Sequence, residues 1–80
     1  MKKINKIYVE VTEAIEDNTR AIKYIHYNDV VYTVNDSFPI GVENIQGYNY
    51  LTFLCKIGKH KVKLYCDNKN TNDIKYFTLK

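Results

Sequence analysis

Tyr50-Leu51-Thr52-Phe53-Leu54-Cys55-Lys56-Ile57-Gly58-Lys59-His60-Lys61-Val62-Lys63-Leu64-Tyr65-Cys66-Asp67 is the stretch whose reading decides the fold. Two alternating, strand-forming runs flank a short segment that contains a glycine, the pattern of a tight β-hairpin. For a two-residue loop, either Gly58-Lys59 or Lys59-His60, odd positions of the first run pair with even positions of the second. One face then carries Leu51, Phe53, Cys55 and Ile57 with Val62, Leu64 and Cys66. That face is wholly apolar and predicts the core. The other carries Tyr50, Thr52, Leu54 and Lys56 with Lys61, Lys63, Tyr65 and Asp67. A slip of one residue would put the lysines inside, so the register is strongly specified.

A second hairpin precedes it. Ala21–Tyr27 and Val30–Val34 flank Asn28-Asp29, two residues that tolerate the positive φ of a type I′ turn. This predicts Tyr27 opposite Val30, Ile25 opposite Tyr32 and Lys23 opposite Val34, with Ile22, Tyr24 and His26 on the other face. Upstream, Ile7, Val9 and Val11 alternate with Tyr8, Glu10 and Thr12, a half-buried strand. A short helix over Thr12–Asp17 is the rival reading there. Glu16-Asp17-Asn18-Thr19 is a polar turn cluster. Asp36-Ser37-Phe38-Pro39 predicts a turn, because Pro39 restricts Phe38 and lacks a donor. Gly41 and Gly47 bracket Val42–Ile45, a short edge strand or an ordered loop. A polar loop over Asp67–Asp73 leads to a last strand, Ile74–Leu79. The expected fold class is all-β and mainly antiparallel: a small five-stranded, SH3-like or curled-sheet barrel, with room for one short helix or turn.

Eighty residues make a single domain, 1–80. Such a chain buries roughly 60–65% of its unfolded surface, which leaves little room for an enclosed cofactor pocket. Eight tyrosines and many Ile and Val residues suit a pleated, half-buried surface. The net charge of +3 is a mild basic bias. Met1-Lys2-Lys3 is not followed by an apolar segment, and no run approaches the ~18 residues of a membrane span. The expectation is a reduced, cytoplasmic protein with no membrane partner. The abundance of Lys, Asn, Ile and Tyr fits an AT-rich gene, as in a low-GC bacterium or its phage.

Catalytic signals are sparse. Cys55 and Cys66 fall on the apolar face without lying directly opposite each other, so they read as buried thiols acting as small hydrophobes. Zinc favours four ligands with close-spaced pairs; these cysteines stand alone, and His26 and His60 show no ligand spacing. Neither histidine has an identifiable orienting group for a Cys–His nucleophile. Glu10, Glu13, Glu16 and Asp17 cluster near the end of the first strand and read as a solvated acidic edge. No P-loop, GxGxxG or HExxH occurs. The expectation is no enzyme, no cofactor and no metal.

One surface is patterned. Lys56, Lys59, His60, Lys61 and Lys63 converge on the outer face and tip of the 50–67 hairpin, with Tyr50 and Tyr65 on the same face. Cationic side chains beside exposed rings suit single-stranded nucleic acid: charge for phosphate, rings for bases. The plainer reading is a lysine face that keeps a strand edge soluble. The leading expectation is therefore a non-enzymatic binding module that takes nucleic acid through these seven residues. The alternatives are a protein-interaction or phage-type inhibitor domain, a homo-oligomer, and a subunit of an oligomeric enzyme with a shared site.

The order of signals resembles a small bacterial β-domain family of unknown function, associated with translesion-polymerase-like proteins. The residues that carry the resemblance are Tyr24-Ile25-His26-Tyr27-Asn28-Asp29 leading to Tyr32-Thr33-Val34, then Phe53 through Gly58, Val62-Lys63-Leu64-Tyr65-Cys66-Asp67, and Tyr76 to Leu79. Members often have Trp at the aromatic positions and Arg around the turn, whereas this chain has no Trp and uses Lys. The resemblance implies a small β domain in a DNA-related setting and transfers no site residues.

Overall fold

A computed structural model describes residues 4–80. Seven strands run in chain order: β1 Lys6–Glu16, β2 Thr19–Tyr27, β3 Val30–Thr33, β4 Asp36–Ile45, β5 Tyr48–Ile57, β6 His60–Asp67 and β7 Lys75–Leu79. They form one sheet in the order β3-β2-β1-β7-β6-β5-β4, and every neighbouring pair is antiparallel.

Four two-residue turns build most of this sheet, each where the local chemistry allows positive φ. Asp17-Asn18 joins β1 to β2 at φ 52 and 62°, and Asn28-Asp29 joins β2 to β3 at 50 and 62°. Gln46-Gly47 joins β4 to β5 at 51 and 89°. These three have the two left-handed central residues of a type I′ turn. Gly58-Lys59 has positive φ only at Gly58, at 60°, as a II′ turn requires. The predicted registers follow: Tyr27 faces Val30, Ile25 faces Tyr32, Phe53 faces Leu64 and Leu51 faces Cys66.

The expected five-stranded, SH3-like or curled-sheet barrel is corrected to a seven-stranded single sheet, not closed into a barrel. No helix occurs among the described residues. Residues 12–16 stay in β1 because they pair with β2. Asp36–Pro39 is strand rather than turn. Pro39 is tolerated there because β4 is an edge strand, and Ile40 is bulged out between Pro39 and Gly41. Gly41 carries φ 129° at this bulge, a value that favours glycine.

Closure fails for a directional reason. Counting antiparallel neighbours along the sheet makes its two edge strands, β3 and β4, run the same way. They are consecutive pieces of chain separated by Val34-Asn35. The chain leaves one edge and passes straight into the other, so the sheet curls without a β3–β4 ladder. The crossing is pinned by backbone bonds from Val34 N to Lys23 O (2.9 Å) and from Asn35 N to Lys56 O (2.7 Å). Ile22 N also donates to Ser37 Oγ at 3.0 Å. Lys23 is the extra residue of a bulge opposite Thr12/Glu13. A bulge turns a strand and shifts its side-chain phase. That shift puts both Ile22 and Ile25 into the core, three positions apart, which simple alternation does not predict.

The sheet buries residues on both faces. The concave face holds Ile22, Ile25, Val34, Phe53, Cys55, Leu64, Cys66 and Tyr76. This contains most of the predicted apolar face, although Leu51 stays substantially exposed. The outer face has a second, aromatic core of Ile45, Tyr50, Tyr65 and Phe77, with Ile4 and Leu79 packed against it.

Candidate functional site

The outer aromatic core changes the predicted basic-aromatic surface. Tyr50 is 1% exposed and Tyr65 is 5% exposed, so neither ring is a platform for a base. Phe77 explains both burials. It stacks on Tyr65 at 5.2 Å, takes Tyr50 edge-on at 5.0 Å, and lies 5.5 Å from Tyr8. Cross-strand register produces this cluster, because Tyr65 faces Phe77 and Phe77 faces Tyr8. Burial pushes the Tyr65 phenol up to about 12, helped by the nearby Glu43 carboxylate.

The predicted lysines separate into two groups. Lys63 is bound to Glu43 at 2.7 Å across the sheet. That contact, together with Tyr65, outweighs partial burial and holds the Glu43 carboxyl below its ordinary value. Lys56 and Lys61 are direct cross-strand neighbours at the hairpin tip, with Lys59 in the turn and His60 exposed beside it. Lys56 also stands 5.9 Å from the Phe38 ring. Like charges directly opposite each other on a sheet repel, and here Asp36, opposite Lys56 on the β4 side, flanks the pair.

Sequence reasoning missed four residues on the same face. Lys6 Nζ donates to Tyr50 Oη at 3.1 Å. Lys69, in the loop after β6, lies 3.8 Å from the Tyr48 ring centroid and 5.3 Å from that of Tyr50. Tyr48 is 55% exposed and Tyr8 is 48% exposed. Lys6 and Tyr8 share one side of β1, so alternation in the first strand carried half of this signal. No local pattern brings Lys69 onto Tyr48.

Cation pairing divides the molecule. Arg20 binds Glu13 at 2.9 Å and Lys23 binds Glu16 at 2.5 Å, both within the β1–β2 hairpin. The acidic cluster is thereby dispersed, and Glu13 also accepts from Tyr76 Oη at 2.5 Å. Lys75 pairs with Asp73 at 3.5 Å. Among the described residues, Lys6, Lys56, Lys59, Lys61 and Lys69 have no carboxylate within 4 Å.

The remaining candidates are structural in their surroundings. Cys55 and Cys66 are buried, unbridged thiols. Burial pushes Cys55 up to about 11 and raises Cys66 as well, the opposite of what an activated nucleophile needs. His26 is hydrogen-bonded to Thr12 Oγ1 at 2.9 Å. Among the described residues no group of three His, Cys, Asp or Glu side chains is placed to hold a metal ion. An open groove runs between β1 and the 27–31 turn, and Glu13, Arg20 and Tyr76 line it. These three are engaged with one another, Glu13 holding both Arg20 and Tyr76. No family model, no curated protein and no solved structure matches this chain.

Proposed function

We propose that this protein is a non-enzymatic binding module that takes single-stranded nucleic acid on the outer face of its sheet. The observation that supports this reading is a group of five described lysines with no carboxylate within 4 Å, Lys6, Lys56, Lys59, Lys61 and Lys69. They lie on the same face and hairpin tip as the half-open rings of Tyr8 and Tyr48. Unpaired ammonium groups attract phosphate at little desolvation cost, and open rings accept unstacked bases of any identity. A duplex would satisfy the lysines but leave the rings idle, so single strands fit better. The test is a titration of labelled oligothymidylate at two salt concentrations. Affinity must fall with salt and must fall again in Lys56→Glu/Lys61→Glu; a wild type that binds no oligonucleotide at low salt sinks the reading.

A second reading is favoured by one specific observation. The β2–β3 hairpin leaves Tyr24, Tyr27, Val30, Val31 and Tyr32 exposed, and β3 is an edge strand without charge or proline. Such an edge is built to pair with another strand. A protein partner, a second copy included, is the occupant in this reading. Sedimentation of the wild type beside Val31→Lys separates the two readings: a self-association lost in the variant supports it, and a concentration-independent monomer removes the second copy.

A further inference from the structure

The outer face has one place where two ammonium groups meet a phenol. Lys6 Nζ lies 3.1 Å from Tyr50 Oη, 5.2 Å from the Tyr50 ring centroid and 5.0 Å from that of Phe77. Lys69 Nζ stands 5.3 Å from the same Tyr50 centroid. The Tyr50 ring itself cannot move aside, because it is buried edge-on against Phe77. Burial works against ionising this phenol, yet Lys6 and Lys69 together outweigh it and hold Tyr50 below its ordinary value. The Asp67 carboxylate also bears on Lys69. Two cations that share one neutral neighbour repel each other, and an anion between them relieves that repulsion.

The hydrogen-bonding arithmetic leaves room for such an anion. Lys6 donates to Tyr50 Oη, which orients the ammonium group above a phenol that is itself covered. Each ammonium group retains further hydrogens. Tyr48 sits against Lys69 and Tyr8 against Phe77, and both rings are about half open. A phosphate at this point would thus have an open ring near each end of the aromatic row.

We infer that Lys6 and Lys69, positioned on the buried Tyr50, form a seat for one phosphodiester of a single-stranded nucleic acid, with neighbouring bases resting on Tyr48 and Tyr8. This rests on the nucleic-acid reading above. It moves the centre of binding from the hairpin tip to the aromatic core, whose rigidity pre-organises the seat.

The experiment is a fluorescence-anisotropy titration of labelled ten-residue oligothymidylate against wild type and five variants. Lys6→Gln/Lys69→Gln is expected to lower affinity about tenfold or more at low salt. It should also flatten the plot of log affinity against log salt by about 0.7, the value for one neutralised phosphate on a single strand. Tyr50→Phe, which keeps the ring and removes the hydroxyl, should weaken binding several-fold with no change of slope. Tyr48→Ala should weaken it about fivefold or more, again without changing the slope. Should Lys6→Gln melt, Lys69→Gln alone carries the test, since it lies in a loop. Full affinity in the folded Lys6/Lys69 variant, with loss in Lys59→Gln/Lys61→Gln, overturns the seat and keeps the nucleic-acid reading. A wild type that binds no oligothymidylate overturns both.

Discussion

Replacing Phe77 by leucine tests whether the outer face holds a true second core. Phe77 is wholly buried and contacts three rings, Tyr8, Tyr50 and Tyr65, with the Lys6 ammonium 5.0 Å from its own ring. Leucine keeps most of the buried apolar area but none of the ring geometry. Each aromatic pair contributes about 0.5–1.5 kcal/mol beyond area, and the cation over the ring about 0.5–1 kcal/mol. These contributions share one ring and do not add fully, so the expected loss is about 2–3 kcal/mol. A domain of this length is stable by only ~4–12 kcal/mol in total. For its size, such a loss lowers Tm by roughly 10–20 °C. Circular dichroism melts and urea titrations measure it, with near-ultraviolet dichroism reporting the tyrosine cluster. Leu64→Ala, in the concave core, is the companion variant and should cost about 2–5 kcal/mol. If Leu64→Ala shows that loss while Phe77→Leu costs under about 1 kcal/mol, the outer aromatic cluster is ornament and the argument for a rigid Tyr50 fails with it.

Ser37→Ala removes the acceptor for Ile22 N at the β3–β4 crossing and should cost about 1–3 kcal/mol in urea titrations; an unchanged midpoint would show that this bond does not pin the crossing. Gly58→Ala should cost about 1 kcal/mol from the positive φ alone, since no atom crowds the added methyl; a stabilised variant would contradict the II′ turn. Cys55 and Cys66 should not react with a thiol reagent in the native protein at pH 8 and should react fully in denaturant, so prompt native labelling would refute their burial. The Tyr65 phenol is raised by folding, so its contribution is fully present below the unfolded value near pH 10. It is lost as pH rises towards about 12. Melts between pH 8 and 11.5 should therefore show Tm falling above pH 10, and falling less in Tyr65→Phe; equal falls would refute this assignment.

Two hairpins and their registers were legible because a hairpin is a local object, whereas Asp36–Pro39, read as a turn, is strand and the Gln46-Gly47 turn was missed. Asn28-Asp29 announces its own geometry, the second turn was narrowed to Gly58-Lys59 or Lys59-His60, and the lysines of β6 forbid a one-residue slip. Two non-local features were not legible. The bulge at Lys23 changes which side of β2 is buried, and it exists because the sheet must bend where β3 passes into β4. The aromatic core on the outer face needs β7 to lie beside both β6 and β1, which no window of sequence contains. Tyr50 and Tyr65 therefore looked available when their rings are covered by Phe77. The lysine tip was readable residue by residue, whereas Lys69 over Tyr48 was not, because a loop side chain obeys no periodicity.

The place of β7 has a consequence for how the chain assembles. Strands β1–β3 and β4–β7 are each simple meanders, yet β7 is the strand that inserts between β1 and β6. Until it emerges during synthesis, two interior strands present bare edges, and the phenylalanine that fills the outer core is absent. The sheet is thus stitched at its middle by the segment of it made last. A nascent chain stalled or cut before residue 75 would hold both halves unjoined and adhesive, a state in which a chaperone would matter more than at any later moment.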